Sequence, residues 1–154
     1  GSGKFLAYAS ETKIAQAASI SYSYECRSVD AITPYLAVPF FADHYQGIVT
    51  RLHIRNIDAN SPVNMTAKFF CTTEGGKTYN LNTSILKIPP SSAYEFTDLS
   101  KMSAIFQPGQ SVQPNSWCSV LVDANRPIIG YFIERSDRLG LNSRVNQDAV
   151  NYSK

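Results

Sequence analysis

Short runs of alternating apolar and polar residues, bounded by Gly, Pro, Asn, Asp and Ser, dominate this chain. Period-2 alternation marks half-buried β-strands, because successive side chains of a strand point to opposite faces. From Ser19 to Cys26, Ile20, Tyr22, Tyr24 and Cys26 share one face and Ser19, Ser21, Ser23 and Glu25 the other. Ile48 to Arg55 sets Ile48, Leu52 and Ile54 against Arg51, His53 and Arg55. Val63 to Cys71 alternates Val63, Met65, Ala67, Phe69 and Cys71 with Asn64, Thr66, Lys68 and Phe70, and ends at Glu74-Gly75-Gly76-Lys77. A Gly-Gly pair supplies the positive φ of a tight hairpin, so Thr78 to Asn82 is the returning strand.

Tyr35 to Phe41 is densely apolar but broken by Pro39. Proline donates nothing to a ladder, so this strand is expected either at an edge or with a bulge. Ile85 to Ile88, Ala93 to Phe96, Ser116 to Asp123 and Pro127 to Arg135 complete the strand pattern, and Gln107 to Asn115 reads as loop. Thr97 to Met102 resembles one helical turn with Thr97 as its N-cap. The Ala-rich segment Lys4 to Ser19 has no clean period and reads either as an amphipathic helix or as an extended arm.

About eight short strands at roughly 8- to 12-residue spacing, with no long helix, predict an all-β fold: an antiparallel β-sandwich, immunoglobulin-like or jelly-roll-like. The expected organisation is an N-terminal arm over residues 1–18, the sandwich over 19–138, and a polar tail or extra edge strand over 139–154. Gly1-Ser2-Gly3 reads either as a vector scar or as the product of signal-peptide removal.

The stretch Leu52 to Asp137 carries a recurring order of motifs. Leu52-His53-Ile54-Arg55-Asn56-Ile57-Asp58 ends a strand in an Asn-rich turn, and Lys68-Phe69-Phe70 leads to Gly75-Gly76. Ile88-Pro89-Pro90-Ser91-Ser92 follows, then Arg126-Pro127-Ile128-Ile129-Gly130-Tyr131, closing on Glu134-Arg135. This order resembles the immunoglobulin-like modules of secreted bacterial proteins and the sandwich of sensory rhodopsin transducers. The resemblance implies the fold and transfers no functional residue.

Composition narrows the function classes. Of the 154 residues 44% are hydrophobic and only 17% charged, with a net charge of +2; soluble domains average about 25% charged. Ser, Thr, Asn and Tyr carry the polarity instead, a profile of secreted or surface proteins. Nucleic acid is not an expected partner, since its footprint is a dense basic patch. No window approaches the roughly 18 consecutive apolar residues of a spanning helix. An extracellular, periplasmic or cell-surface location is expected.

No Gly-x-Ser-x-Gly elbow, zinc spacing or cofactor motif is present, and the two histidines, His44 and His53, are the only imidazole bases. A non-enzymatic role follows, with no cofactor and no metal expected. Asp43-His44 would need a third ligand from elsewhere to hold a divalent ion; an Asx turn is the preferred reading. The three cysteines, Cys26, Cys71 and Cys118, allow one disulfide. Cys71 with Cys118 is the preferred pair, though Cys26 can replace either and three buried thiols carry equal weight. The row Arg51, His53 and Arg55, at about 6 to 7 Å intervals along a strand, is the candidate binding face, with Glu74 or Glu95 as cross-strand partners. Most of the nine tyrosines are expected to add core bulk with the hydroxyl at the rim.

Two functions from different classes emerge. One is an assembly or protein-interaction module, joining to itself or to another surface protein by strand addition of the N-terminal arm. The alternative is a carbohydrate or small-ligand binding module using Arg51, His53 and Arg55, and a transducer-like signalling partner is a third reading.

Overall fold

The computed structural model describes the backbone of residues 8–15, 18–25, 32–136, 143–148 and 150–151, and side chains from Ile32 to Phe132. Among the described residues, strands β1 (Tyr8–Ala15) and β2 (Ala18–Glu25) pair with each other as a separate two-stranded antiparallel sheet. The strand expected from Ser19 thus exists, but its ladder is with residues 8–15 and not with the sandwich. Residues 1–7, Cys26 and the Cys26–Ala31 segment lie outside the described residues.

The main sheet is built from β3 (Tyr35–Tyr45), β4 (Ile48–Asn56), β5 (Val63–Thr73), β6 (Thr78–Asn82), β7 (Leu86–Ile88), β8 (Ala93–Phe96), β9 (Ser116–Ala124), β10 (Ile128–Ser136), β11 (Ser143–Asp148) and β12 (Val150–Asn151). All described pairings are antiparallel, in the order β11-β10-β4-β3-β9-β5-β6, with β8 on β4, β7 on β5 and β12 on β3. The polar C-terminal stretch therefore supplies edge strands to the sheet.

The strand β3 is the corner of the sandwich. It pairs with β9 from Tyr35 to His44, and at its end Asp43 and Tyr45 reach β4 as well. The ladder to β9 shifts between Val38 and Phe41 and again between Asp43 and His44. Pro39 accounts for the first shift: with no N–H to donate, it sits in a bulge, the second of the two outcomes its presence allowed. Bulges bend a strand, and here they carry the chain from one layer into the other.

The two layers meet through their inward positions. On β5, Val63, Met65, Ala67, Phe69 and Cys71 are buried, and Asn64, Lys68 and Phe70 exposed. On β4, Leu52 and Ile54 are buried between exposed Arg51 and Arg55. Phe69 of β5 packs edge-on against Phe96 of β8 at 5.4 Å, and against Phe41 and Phe106 at 5.7 and 5.8 Å. These edge-to-face contacts lock rings from different strands at the centre of an all-β sandwich.

A 3-10 helix, Leu99–Ile105, closes one end. It begins two residues beyond the expected Thr97 cap: Asp98 holds the N-cap position and makes no side-chain capping bond. The Asp98 carboxylate is engaged by Lys101 and Ser100 instead. Buried Leu99 and Phe106 anchor the segment to the core, and the Ser84 and Gln107 amides bond to Ile105 and Asn82 carbonyls.

Neutral polar side chains finish the ladders where strands run out. Thr50 Oγ1 accepts from the Ala42 amide and Thr83 Oγ1 from the Ala67 amide, both at 2.9 Å. Asn125 Oδ1 accepts from the Asn64 amide, and Gln110 Oε1 from the Asn82 amide. Tyr79 OH and Ser116 Oγ share a hydrogen bond under the Gln113 carbonyl. Buried amides must find partners, and hydroxyl and amide groups provide them without the desolvation cost of a buried charge. The low charge and high Ser, Thr and Asn content follow from this use.

Candidate functional site

The predicted cationic row lies where alternation placed it, on the outward side of β4. Arg51 and Arg55 are exposed and His53 is half-buried. Antiparallel register sets Glu95 of β8 and Tyr131 of β10 beside His53. Glu95 Oε2 is 3.5 Å from His53 Nδ1, and Glu95 Oε1 is 3.9 Å from Arg51 Nη1. The His53 ring stacks on Tyr131, centroids 4.8 Å apart and planes 9° from parallel. Of the two acids named as partners Glu95 fills the role; Glu74 lies in the β5–β6 hairpin, its amide bonded to the Asn115 carbonyl. One carboxylate shared by Arg51 and His53 lowers the charge of the row, and Arg55 keeps it cationic.

The outer side of the other layer is apolar. Phe70 on β5 and Leu121 on β9 are 42% and 37% exposed. Phe70 stands opposite Asn80 and Ser119, and Leu121 opposite Lys68 and Ala37. The bulge at Pro39 turns Phe40 to the same side, where it stacks on half-buried Trp117 at 6.1 Å. A band of Phe40, Trp117, Phe70 and Leu121 thus crosses three adjacent strands, interrupted by Lys68 and neutral residues.

Directly beneath this band Cys71 and Cys118 face each other in register and form a disulfide, with Cα atoms 4.0 Å apart. The preferred pairing is the one the structure contains. It joins the two central strands of the layer and fixes their register against slippage.

A third cluster gathers at the β3 corner. The carboxylate of Asp43 is buried and accepts the Leu99 amide, while its Oδ1 has no hydrogen-bond partner. An Asx turn is therefore not what this side chain forms. Burial first, and the neighbouring Asp98 charge second, push its carboxyl above the ordinary range. His44 is the extra residue of the second bulge, with a left-handed φ of 59°. That conformation is costly for a residue with a Cβ, although histidine reaches it more often than most. His44 Nε2 comes to 3.5 Å from Asp98 Oδ2, and Lys101 Nζ sits 2.8 Å from the same oxygen. Hydrogen bonds from Lys101 and Ser100 hold the Asp98 carboxyl well below the usual carboxylate range.

In the sequence Asp98 falls in the helical turn Thr97 to Met102 and Tyr131 in the strand Pro127 to Arg135. Neither had a local signal, because both meet their neighbours across ladders between distant segments. Among the described tyrosines, Tyr79 and Tyr94 pack against the core and the Tyr79 hydroxyl bonds at the rim, whereas Tyr131 lies on the outward side against His53.

Comparison with protein-family models, with curated proteins and with solved structures gives no match. No helix among the described residues is long and apolar enough to cross a membrane.

Proposed function

We infer that this chain is a non-catalytic β-sandwich of the cell exterior that works by protein contact, in assembly with further copies of itself or with another surface protein. The observation that carries the reading is the apolar band of Phe40, Trp117, Phe70 and Leu121 on the outer face of a cross-linked layer. Exposed Phe70 and Leu121 beside half-buried Phe40 and Trp117 make a contiguous apolar patch, and such patches mark interaction surfaces. The same face carries the cations Lys68 and Lys87 and the anion Asp123. The disulfide supports an oxidising compartment. The hairpin β1–β2, whose described ladders are confined to itself, offers further edges for strand addition.

Sedimentation velocity over a range of concentrations tests the reading. Self-association that weakens in Phe70→Ser with Leu121→Ser, at unchanged thermal stability, supports it. A monomer at every concentration, with no surface partner captured by the wild type and lost by the double variant, refutes it.

The alternative, carbohydrate binding through Arg51, His53 and Arg55, draws on the exposure of both arginines. It ranks second because Glu95 already holds Arg51 and His53, and Tyr131 already stacks on the His53 ring. A glycan array with Arg51→Ala and Arg55→Ala as controls separates the two.

A further inference from the structure

Asp43, His44 and Asp98 each offer one ligating atom, and all three atoms lie within 4.8 Å of one another. They come from the bulged end of β3 and from the segment between β8 and the 3-10 helix. Asp43 is only 2% exposed, and its Oδ1, out of reach of solvent, has no hydrogen-bond partner. A buried carboxylate oxygen left in this condition is costly, and native proteins retain such atoms where a cation or a reaction uses them. The bulge at His44 adds to the pattern: Phe41, Ala42 and Asp43 are buried in succession before it, and the inserted His44 turns toward Asp98. Bulges re-aim side chains in this way beside functional sites.

We propose that Asp43, His44 and Asp98 bind a single divalent transition-metal ion, zinc by preference, which pins the β3–β4 corner to the β8–helix connection. Two carboxylate oxygens and one imidazole nitrogen form the mixed donor set that zinc accepts with water in the remaining position. Magnesium and calcium are disfavoured, since they take oxygen donors almost exclusively and in larger number. Ligand atoms about 2.1 Å from a tetrahedral ion lie about 3.4 Å apart, and His44 Nε2 and Asp98 Oδ2 already stand at 3.5 Å. Small side-chain rotations close the remaining spacing. Lys101 competes for Asp98 Oδ2, but its side chain is 81% exposed and withdraws into solvent at little cost. The ion would join the two layers at the corner where β3 passes between them.

Isothermal titration of the chelator-treated full chain with zinc chloride, repeated with cobalt chloride and read by absorbance, tests this. One zinc ion per chain is expected, and a cobalt spectrum without a thiolate charge-transfer band. Asp43→Asn and His44→Ala should each weaken zinc at least ~10-fold, His53→Ala should leave it unchanged, and Lys101→Ala should tighten it. Asp43→Asn should also melt cooperatively at or above the wild-type temperature, so that lost binding is not lost folding. No zinc bound by the wild type overturns the proposal, as does binding that survives Asp43→Asn and His44→Ala. A thiolate band, or loss of binding in His53→Ala alone, places the ion elsewhere and overturns it equally.

Discussion

Replacing Asn56 by alanine should cost this protein more than any other single polar change in the sandwich. Asn56 is fully buried at the end of β4. Its Nδ2 donates to the carbonyls of Ser61, Pro89 and Ile88 at 2.8, 3.0 and 3.2 Å, and its Oδ1 accepts the Asp58 amide at 2.9 Å. One side chain thereby holds together the end of β4, the turn into β5 and the end of β7. An amide NH2 carries two protons, so the three donated contacts amount to two full bonds. With the accepted bond the loss is three, at about 1 kcal/mol each. The buried Ile88 carbonyl left unpaired raises the total to about 4 kcal/mol. For a chain of this length that corresponds to a melting temperature lower by about 10 °C. Asn56→Asp separates hydrogen bonding from volume: it keeps the shape and the acceptor but turns an anion toward three carbonyls, and should be at least as damaging at neutral pH. Urea unfolding followed by the fluorescence of Trp117, the single tryptophan, gives the difference directly if the m-value is unchanged. A loss below about 1 kcal/mol for both variants would refute the assignment of Asn56 as the hub.

Three further outcomes are expected. Cys71→Ala with Cys118→Ala, or reduction of the wild type, removes a cross-link spanning 47 residues and should cost about 4 kcal/mol by loop-closure entropy; a urea midpoint insensitive to reductant would contradict it. Phe69→Ala empties the point where Phe41, Phe96 and Phe106 converge and should cost about 3 to 5 kcal/mol, whereas Arg51→Ala, breaking a 3.9 Å exposed pair, should stay within about 0.5 kcal/mol. Amides of Asn60 and Ser61 and the Arg126 guanidinium lower the Asp58 carboxyl below its ordinary value. A group whose native value is depressed stabilises above its unfolded value and loses that contribution as pH falls through the native one. Asp58→Asn should therefore be less stable than the wild type at neutral pH and converge with it in acid; a gap independent of pH would show that Asp58 acts otherwise.

Alternation is a local property, and the chain displays it openly. Val63 to Cys71 and Ala93 to Phe96 could be read as strands with the correct inward face, and Thr78 to Asn82 and Ser116 to Asp123 as strands, because a core one layer deep selects every second side chain. For the same reason Arg51, His53 and Arg55 were legible as one outward row, and the all-β class followed from the spacing of turns. Pro39 announced an irregular ladder by lacking a donor. What alternation does not carry is register, which depends on which distant strands meet. Only the ladder between β5 and β9 selects Cys71 with Cys118 over the pairings that include Cys26, and only the ladders of β4 set Glu95 and Tyr131 beside His53. The β3 corner shows the difference most sharply. Asp43-His44 alone reads as a turn, and Asp98, 55 positions later, as the start of a helix. Two bulges within β3, one between Val38 and Phe41 and one between Asp43 and His44, interrupt the period-2 rule, turning Asp43 inward and His44 toward Asp98, so the cluster exists only because the sheet folds over itself at that strand.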